Sequence, residues 1–192
     1  MRLEPLSIDH DDGLWEASRP PEVWRWIAEQ PDTRESFGRH LDGVRAATAA
    51  GDEFAFATVD ARSGRPIGMT RYLALRPADR GLEIGWTWLT PAAWKTGANV
   101  EAKLLQMGYA FETLGCIRVE LKTHAANERS RGAMERLGAT FEGIHRKHRI
   151  VPGIGVRDTA WYSVLDDEWP AVREGLRARL AELPQIGLGF RA

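Results

Sequence analysis

Between residues 82 and 122 the spacing of apolar side chains changes twice, and this limits the fold more than any other feature of the chain. Residues 82–89 read as a strand. Val100, Leu104, Met107, Phe111 and Leu114 then recur at helical spacing for about four turns, until Gly115 ends the run. After it, Ile117, Val119 and Leu121 alternate with Arg118, Glu120 and Lys122. A strand, a long helix and a second strand in direct succession form a parallel pair joined by a right-handed crossover, because parallel neighbours cannot be linked by a tight turn.

The flanks add antiparallel structure. Residues 2–6 start as a short strand, and 20–28 carry Val23, Trp24 and Ile27 at helical spacing behind Pro20 and Pro21. The 33–50 segment repeats Phe37, Leu41 and Val44 on one helix face, with Asp32 or Thr33 as cap and Gly51 past its end. Runs at 54–59, 67–75 and 82–89, broken by turn residues at 61–66 and 77–81, predict a three-stranded meander. Downstream come a helix over 127–137 closed by Gly138, a strand over 159–165, and a charged helix over 167–183 that leads into a Gly-rich tail. The expected fold class is mixed α/β (α+β), with antiparallel strands in front, a parallel pair in the middle and flanking helices. At 192 residues, one domain over 1–192 is the expectation.

Composition narrows the function classes. The 26 Lys and Arg against 27 Asp and Glu exclude a wholesale nucleic-acid or membrane coating, while 43% apolar residues can build a core. The single Cys116 permits neither an internal disulfide nor a thiolate zinc site, and reads as a small core residue. The first thirty residues are acidic and lack a long apolar block, so neither a secretory signal nor a membrane span is expected, and the cytoplasm is the expected location.

In sheets of this kind ligands bind beyond the carboxyl ends of the parallel strands, which directs attention to residues 89–100 and 123–131. The segment Trp94-Lys95-Thr96-Gly97-Ala98-Asn99-Val100-Glu101 joins a strand to the long helix, so its amides converge with the positive end of a helix dipole. Gly97 allows close backbone approach, Asn99 can cap the helix and Lys95 offers a phosphate partner, a set that suits a pyrophosphate. No G-x-G-x-x-G follows a strand and no G-x-x-x-x-G-K-[ST] occurs, so dinucleotide and P-loop readings lose their support.

Three pieces, in order, carry a resemblance over roughly residues 54–165. They are Leu82-Glu83-Ile84-Gly85-Trp86-Thr87-Trp88-Leu89, the Trp94 to Glu101 loop with its helix, and Asn127-Glu128-Arg129-Ser130 running on to Leu137-Gly138-Ala139. The chain resembles the GCN5-related N-acetyltransferases (GNAT), and within them the branch that acetylates ribosomal-protein N-termini. The resemblance implies that the fourth and fifth strands splay apart with acetyl-coenzyme A wedged between them. Pantetheine amides would extend the fourth strand near Trp88 and Leu89. The pyrophosphate would rest on Thr96, Gly97, Ala98, Asn99 and Val100 beside Lys95, and Asn127 and Ser130 would meet the pantetheine and its sulfur. The family loop usually runs Gln/Arg-x-x-Gly-x-Gly/Ala; here Trp94 stands first, as is familiar in the ribosomal branch, and Asn99 last.

Attack of an amine on a thioester requires loss of an ammonium proton, stabilisation of an oxyanion and protonation of a thiolate. Glu83 is the candidate proton acceptor, Ser130 the candidate donor to sulfur, and an amide near Trp88 or Leu89 the oxyanion partner. Direct transfer with both substrates bound needs no acetyl-enzyme. Other readings stand beside these. Glu83 could pair with an arginine such as Arg71, and Trp86 and Trp88 could share one packed sheet face. The basic run at 145–149 reads as a solvated loop or strand edge, with an RNA-contacting patch as its functional version. The expected partners are acetyl-coenzyme A and an amine acceptor, foremost a protein N-terminus, without metal, membrane or strong nucleic-acid signal; a homodimer is left open. The rivals are a small-amine acetyltransferase, acting on an aminoglycoside or polyamine, and a non-catalytic acyl-coenzyme A-binding module.

Overall fold

A computed structural model describes residues 1–27, 30–153 and 155–184. The strands are β1 (Arg2–Pro5), β2 (Phe54–Val59), β3 (Pro66–Arg76), β4 (Gly81–Leu89), β5 (Arg118–His124), β6 (Thr140–Val151) and β7 (Gly155–Leu165). The α-helices are α1 (Asp11–Ser18), α2 (Arg34–Ala50), α3 (Ala98–Gly108), α4 (Glu128–Arg136) and α5 (Trp169–Glu182). One seven-stranded sheet has the order β1-β2-β3-β4-β5-β7-β6. Its β4–β5 pair is parallel and its other pairs are antiparallel, so the mixed α/β expectation and the crossover through α3 are borne out.

Two cores form. Leu14, Phe37 and Leu41 of α1 and α2 pack on Ala57, Met69 and Trp88, whereas Met107 and Leu176 of α3 and α5 pack with Ile84, Val119, Leu121 and Tyr162. Met69 and Tyr72, three apart on β3, enter different cores, as side-chain alternation on a strand requires. Helix α2 begins as expected at Thr33, whose hydroxyl accepts from the Ser36 amide, and stops at Gly51 with φ 81°.

One expectation needs correction. No α-helix covers residues 20–27. Instead, α1 lies earlier and a 3₁₀ turn at Pro21–Val23 follows it. Pro20 and Pro21 end α1, and Trp24 is buried by donating its indole N–H to Ser18 O at 2.8 Å rather than by a helix face. Ala28 and the Gly-rich tail lie outside the described residues. The basic run at 145–149 lies, as read, on a solvated strand edge: β6 is an edge strand exposed along almost its whole length. There β6 bulges, because His145 and Arg149 pair with Thr159 and Arg157. The long helix runs as α3 to Gly108, then widens into a π turn at Tyr109–Thr113 before Gly115 at φ 65°. Among the described residues no helix is long and apolar enough to cross a membrane.

Candidate active site

Three residue pairs, Gly81 with Arg118, Leu82 with Val119 and Glu83 with Glu120, join β4 to β5, and there the ladder ends. Each strand follows its other neighbour instead. β5 stays paired with β7 from Arg118 to His124, while β4 stays with β3 through a bulge. Arg71 lies opposite Gly85 and Met69 opposite Trp88, so Trp86 and Thr87 together oppose Thr70, and Trp86 takes a left-handed φ of 48°. Past the bulge Trp86 and Trp88 do share one packed face, the one covered by α2 and the 21–24 turn, with His40 lying 6.0 Å from Trp86 and 6.1 Å from Trp24. Trp88 is buried against Trp24, their rings 5.7 Å apart, and Trp86 stacks under the Arg71 guanidinium at 4.6 Å.

The splay opens a cleft of about 1060 Å³. Glu83, Trp88, Leu89, Lys95, Thr96, Asn99, Val100, Asn127 and Ser130 all line it, so the structure brings together most of the residues singled out from sequence. Gly97 and Ala98 do not line it: Ala98 is buried and the Gly97 amide donates to Pro184 O at 3.2 Å. Nor does Asn99 cap the helix. The cap is Gly97, and the Ala98 amide donates to the Thr96 hydroxyl at 3.2 Å. Among the described residues no acceptor reaches the amides of Asn99 and Val100, which remain the orphan donors of α3. Gly97, at φ −65°, is not needed for a left-handed turn; an added Cβ would lie 2.7 Å from Leu180 Cδ1. The left-handed residue of the loop is Lys95, at φ 61°. Trp94 holds the loop to the strand end by donating its indole N–H to Leu89 O at 2.8 Å, and Arg129 of α4 stacks on its ring at 3.7 Å.

Glu83 pairs with Lys122 Nζ at 2.7 Å, not with Arg71, which pairs with Glu53. Lys122 also sits 3.7 Å above the Trp161 ring, which stacks on His145. Asn127 is the N-cap of α4: its side-chain oxygen accepts from the Ser130 amide at 3.2 Å and its amide donates to Thr123 Oγ1 at 3.2 Å. That cap turns the half-buried Ser130 toward the cleft.

The sequence reading missed two features. Lys103 is buried beneath the β4 bulge, donating to Thr87 Oγ1 at 2.8 Å, Gln106 Oε1 at 3.0 Å and Thr70 Oγ1 at 3.3 Å. With no carboxylate beside it, burial lowers its pKa to about 7. Only tertiary packing distinguishes this lysine from an exposed one. The second is the tip of the β6–β7 hairpin, whose His148, Arg149 and Arg157 line the cleft. Burial, reinforced by Arg149, His145 and Lys122, holds the His148 pKa below its ordinary value, so the imidazole is neutral at pH 7. Among the described residues no group of three or more His, Cys, Asp or Glu is placed to hold a metal ion.

A strand edge without a ladder, orphan amides at a helix start and a hydroxyl facing the same cleft could hold an elongated ligand that carries amides and an anionic end. Comparison with known proteins gives this arrangement its class. Residues 1–140 match the family model described as "Acetyltransferase (GNAT) domain", and the chain belongs to that family. It is 40% identical to a GCN5-related N-acetyltransferase from Brucella melitensis, over 93% of this chain and 81% of that one, with a TM-score of 0.86. A structure described as a "putative acetyltransferase" from T. thermophilus is 38% identical over 93% of both chains, with a TM-score of 0.84. Among curated proteins, "Putative ribosomal N-acetyltransferase YdaF" of Bacillus subtilis (strain 168) is 34% identical over 106 residues, 55% of this chain. The match spans 57% of that relative's length.

Proposed function

We propose that the protein transfers the acetyl group of acetyl-coenzyme A to the α-amine of a polypeptide, in one complex and without an acetyl-enzyme, as in the ribosomal N-terminal branch of the family. The observation that carries the reading is the end of the β4–β5 ladder at Glu83. Beyond it β4 presents backbone groups with no strand partner on the β5 side, each worth about 1–3 kcal/mol if left buried and unsatisfied. Pantetheine amides match that edge near Trp88 and Leu89. The Asn99 and Val100 amides, with Lys95 beside them, suit the pyrophosphate.

In this reading the Glu83 carboxylate takes the proton released by the attacking amine, directly or through water, while Lys122 fixes its direction. Ser130 Oγ donates to the departing sulfur, and a β4 amide near Trp88 or Leu89 faces the developing oxyanion. The charge of the cleft favours an α-amine. Lys122 and Arg157 surround Glu83, and such a positive field favours the neutral amine, which is the nucleophile. At pH 7.5 an α-amine is deprotonated for about 0.5 kcal/mol, whereas a lysine-like or polyamine nitrogen needs about 4. We therefore expect α-amine peptides to release thiol from acetyl-coenzyme A and polyamines to release little. Glu83→Gln should lower kcat about a hundredfold with acetyl-coenzyme A affinity unchanged, the usual scale of general-base loss. Unaltered kinetics across the pH range would remove Glu83 from the reaction.

A further inference from the structure

The bulge in β6 returns to register at Arg149, directly opposite Arg157 on β7. Like charges placed opposite each other on an antiparallel pair destabilise it. Among the described residues no carboxylate lies within ion-pair distance of either arginine, since Glu83 is engaged by Lys122 and the Asp158 side chain accepts from the Lys147 amide at 2.6 Å. Arg157 is half-buried, its guanidinium donates from Nε to Thr159 Oγ1 at 3.1 Å, and both side chains face the cleft. Burial and Arg149 both lower the proton affinity of Arg157, and Glu83 is close enough to oppose them. A pair of cations held together beside the candidate proton acceptor is completed by an anion.

We infer that Arg149 and Arg157 bind a carboxylate of the acceptor, so that the preferred substrate is a polypeptide N-terminus with an acidic residue among its first few positions. The inference rests on the N-terminal reading above and adds the acceptor's charge. The position of the pair separates it from the carrier's phosphates. The orphan amides of Asn99 and Val100 follow β4, whereas β5 stands between β4 and the β6–β7 hairpin. A guanidinium pair offers a carboxylate parallel charge-assisted hydrogen bonds, while an ammonium-rich acceptor meets repulsion at the same place.

The test compares two short peptides that share their first residue and carry either Asp or Lys at positions two to four, with thiol release as readout. Wild type should favour the acidic peptide by about tenfold or more in kcat/KM, the scale of one charge-assisted hydrogen bond. Arg157→Gln and, separately, Arg149→Gln should reduce that preference to about threefold or less through the peptide KM, leaving the acetyl-coenzyme A KM unchanged. Arg157→Glu should reverse it. Equal kcat/KM on both peptides overturns the inference and leaves N-terminal transfer standing, whereas thiol release on neither peptide overturns both. A rise in the acetyl-coenzyme A KM with an unmoved peptide KM assigns the arginines to a carrier phosphate and overturns the inference as well.

Discussion

The two halves of β4 behave differently although they belong to one strand. Its first three residues are laddered to β5 and locked from the side. Glu120, 8% exposed, accepts from Arg76 at 2.8 Å and from Arg118 at 3.1 Å, and Arg118 also pairs with Glu142. The remaining residues leave β5 and follow β3 through the bulge at Trp86 and Thr87. Since β5 keeps all its pairs with β7, the opening does not come from a weak β5. It comes from two well-paired subsheets that share a short root and diverge. The functional edge is thus held by contacts on the far side of β4.

The sharpest way to break this arrangement is at Gly68 on β3. An added Cβ there would lie 2.1 Å from the Trp88 carbonyl oxygen and 2.9 Å from Leu89 Cα, both backbone atoms that cannot yield without moving β4. Gly68→Val should cost about 3 kcal/mol in urea unfolding, the upper end for overpacking, because the contacts are with backbone. A midpoint close to wild type would mean that the outer half of β4 is not anchored through β3. Gly97→Val probes the start of α3, next to the cleft but not lining it, at smaller cost. The added Cβ meets only the end of Leu180, which can turn away, so the expected stability loss is about 1 kcal/mol or less. The branched side chain crowds the start of α3, and acetyl-coenzyme A affinity by calorimetry should fall about tenfold. Equal affinity would detach the 94–100 loop from carrier binding.

How much of this was legible in the sequence depended on whether the signal was local. The α3 period, the Thr33 and Gly51 boundaries and the meander strands were readable because burial on one face imposes spacing along the chain. Helix α1 was hidden by Asp9, Asp11, Asp12 and Gly13, which look like loop. Gly13 instead lets the helix approach Pro66, where a Cβ would come within 2.6 Å of the ring. Strand β6 was hidden because an exposed edge strand has no buried face to mark a period. In the cleft, the residues on or next to β4 and α4 were singled out by the resemblance of their segments to the family's motifs. The Lys122 partner of Glu83, the Arg149–Arg157 pair and Lys103 were not, since each depends on register between distant strands or on the depth of a helix against the sheet.

Lys103 offers the finest test of how the outer half of β4 is held. Its amine bridges Thr87 in the bulge and Thr70 on β3, so it fastens α3 to the diverging part of the sheet, and it does so without a counter-charge. In the unfolded chain the amine keeps its proton to about pH 10.4, whereas in the folded protein it releases it near 7. Between those values the unfolded state binds the extra proton, so stability should rise with pH across that window and be lowest, from this group, below it. Lys103→Met removes the buried ammonium but takes a partner from Thr70, Thr87 and Gln106. The two threonines retain their mutual bond at 2.7 Å and Thr70 can still donate to Gln106 at 3.1 Å. The opposing terms leave an expected net gain of about 1 kcal/mol at pH 7. Urea unfolding at about pH 7 and about pH 9.5 should then show wild type recovering relative to the methionine variant as pH rises. Parallel behaviour of the two proteins would mean that Lys103 keeps an ordinary proton affinity in the fold, and that the bulge is fastened by a charged amine rather than a neutral one.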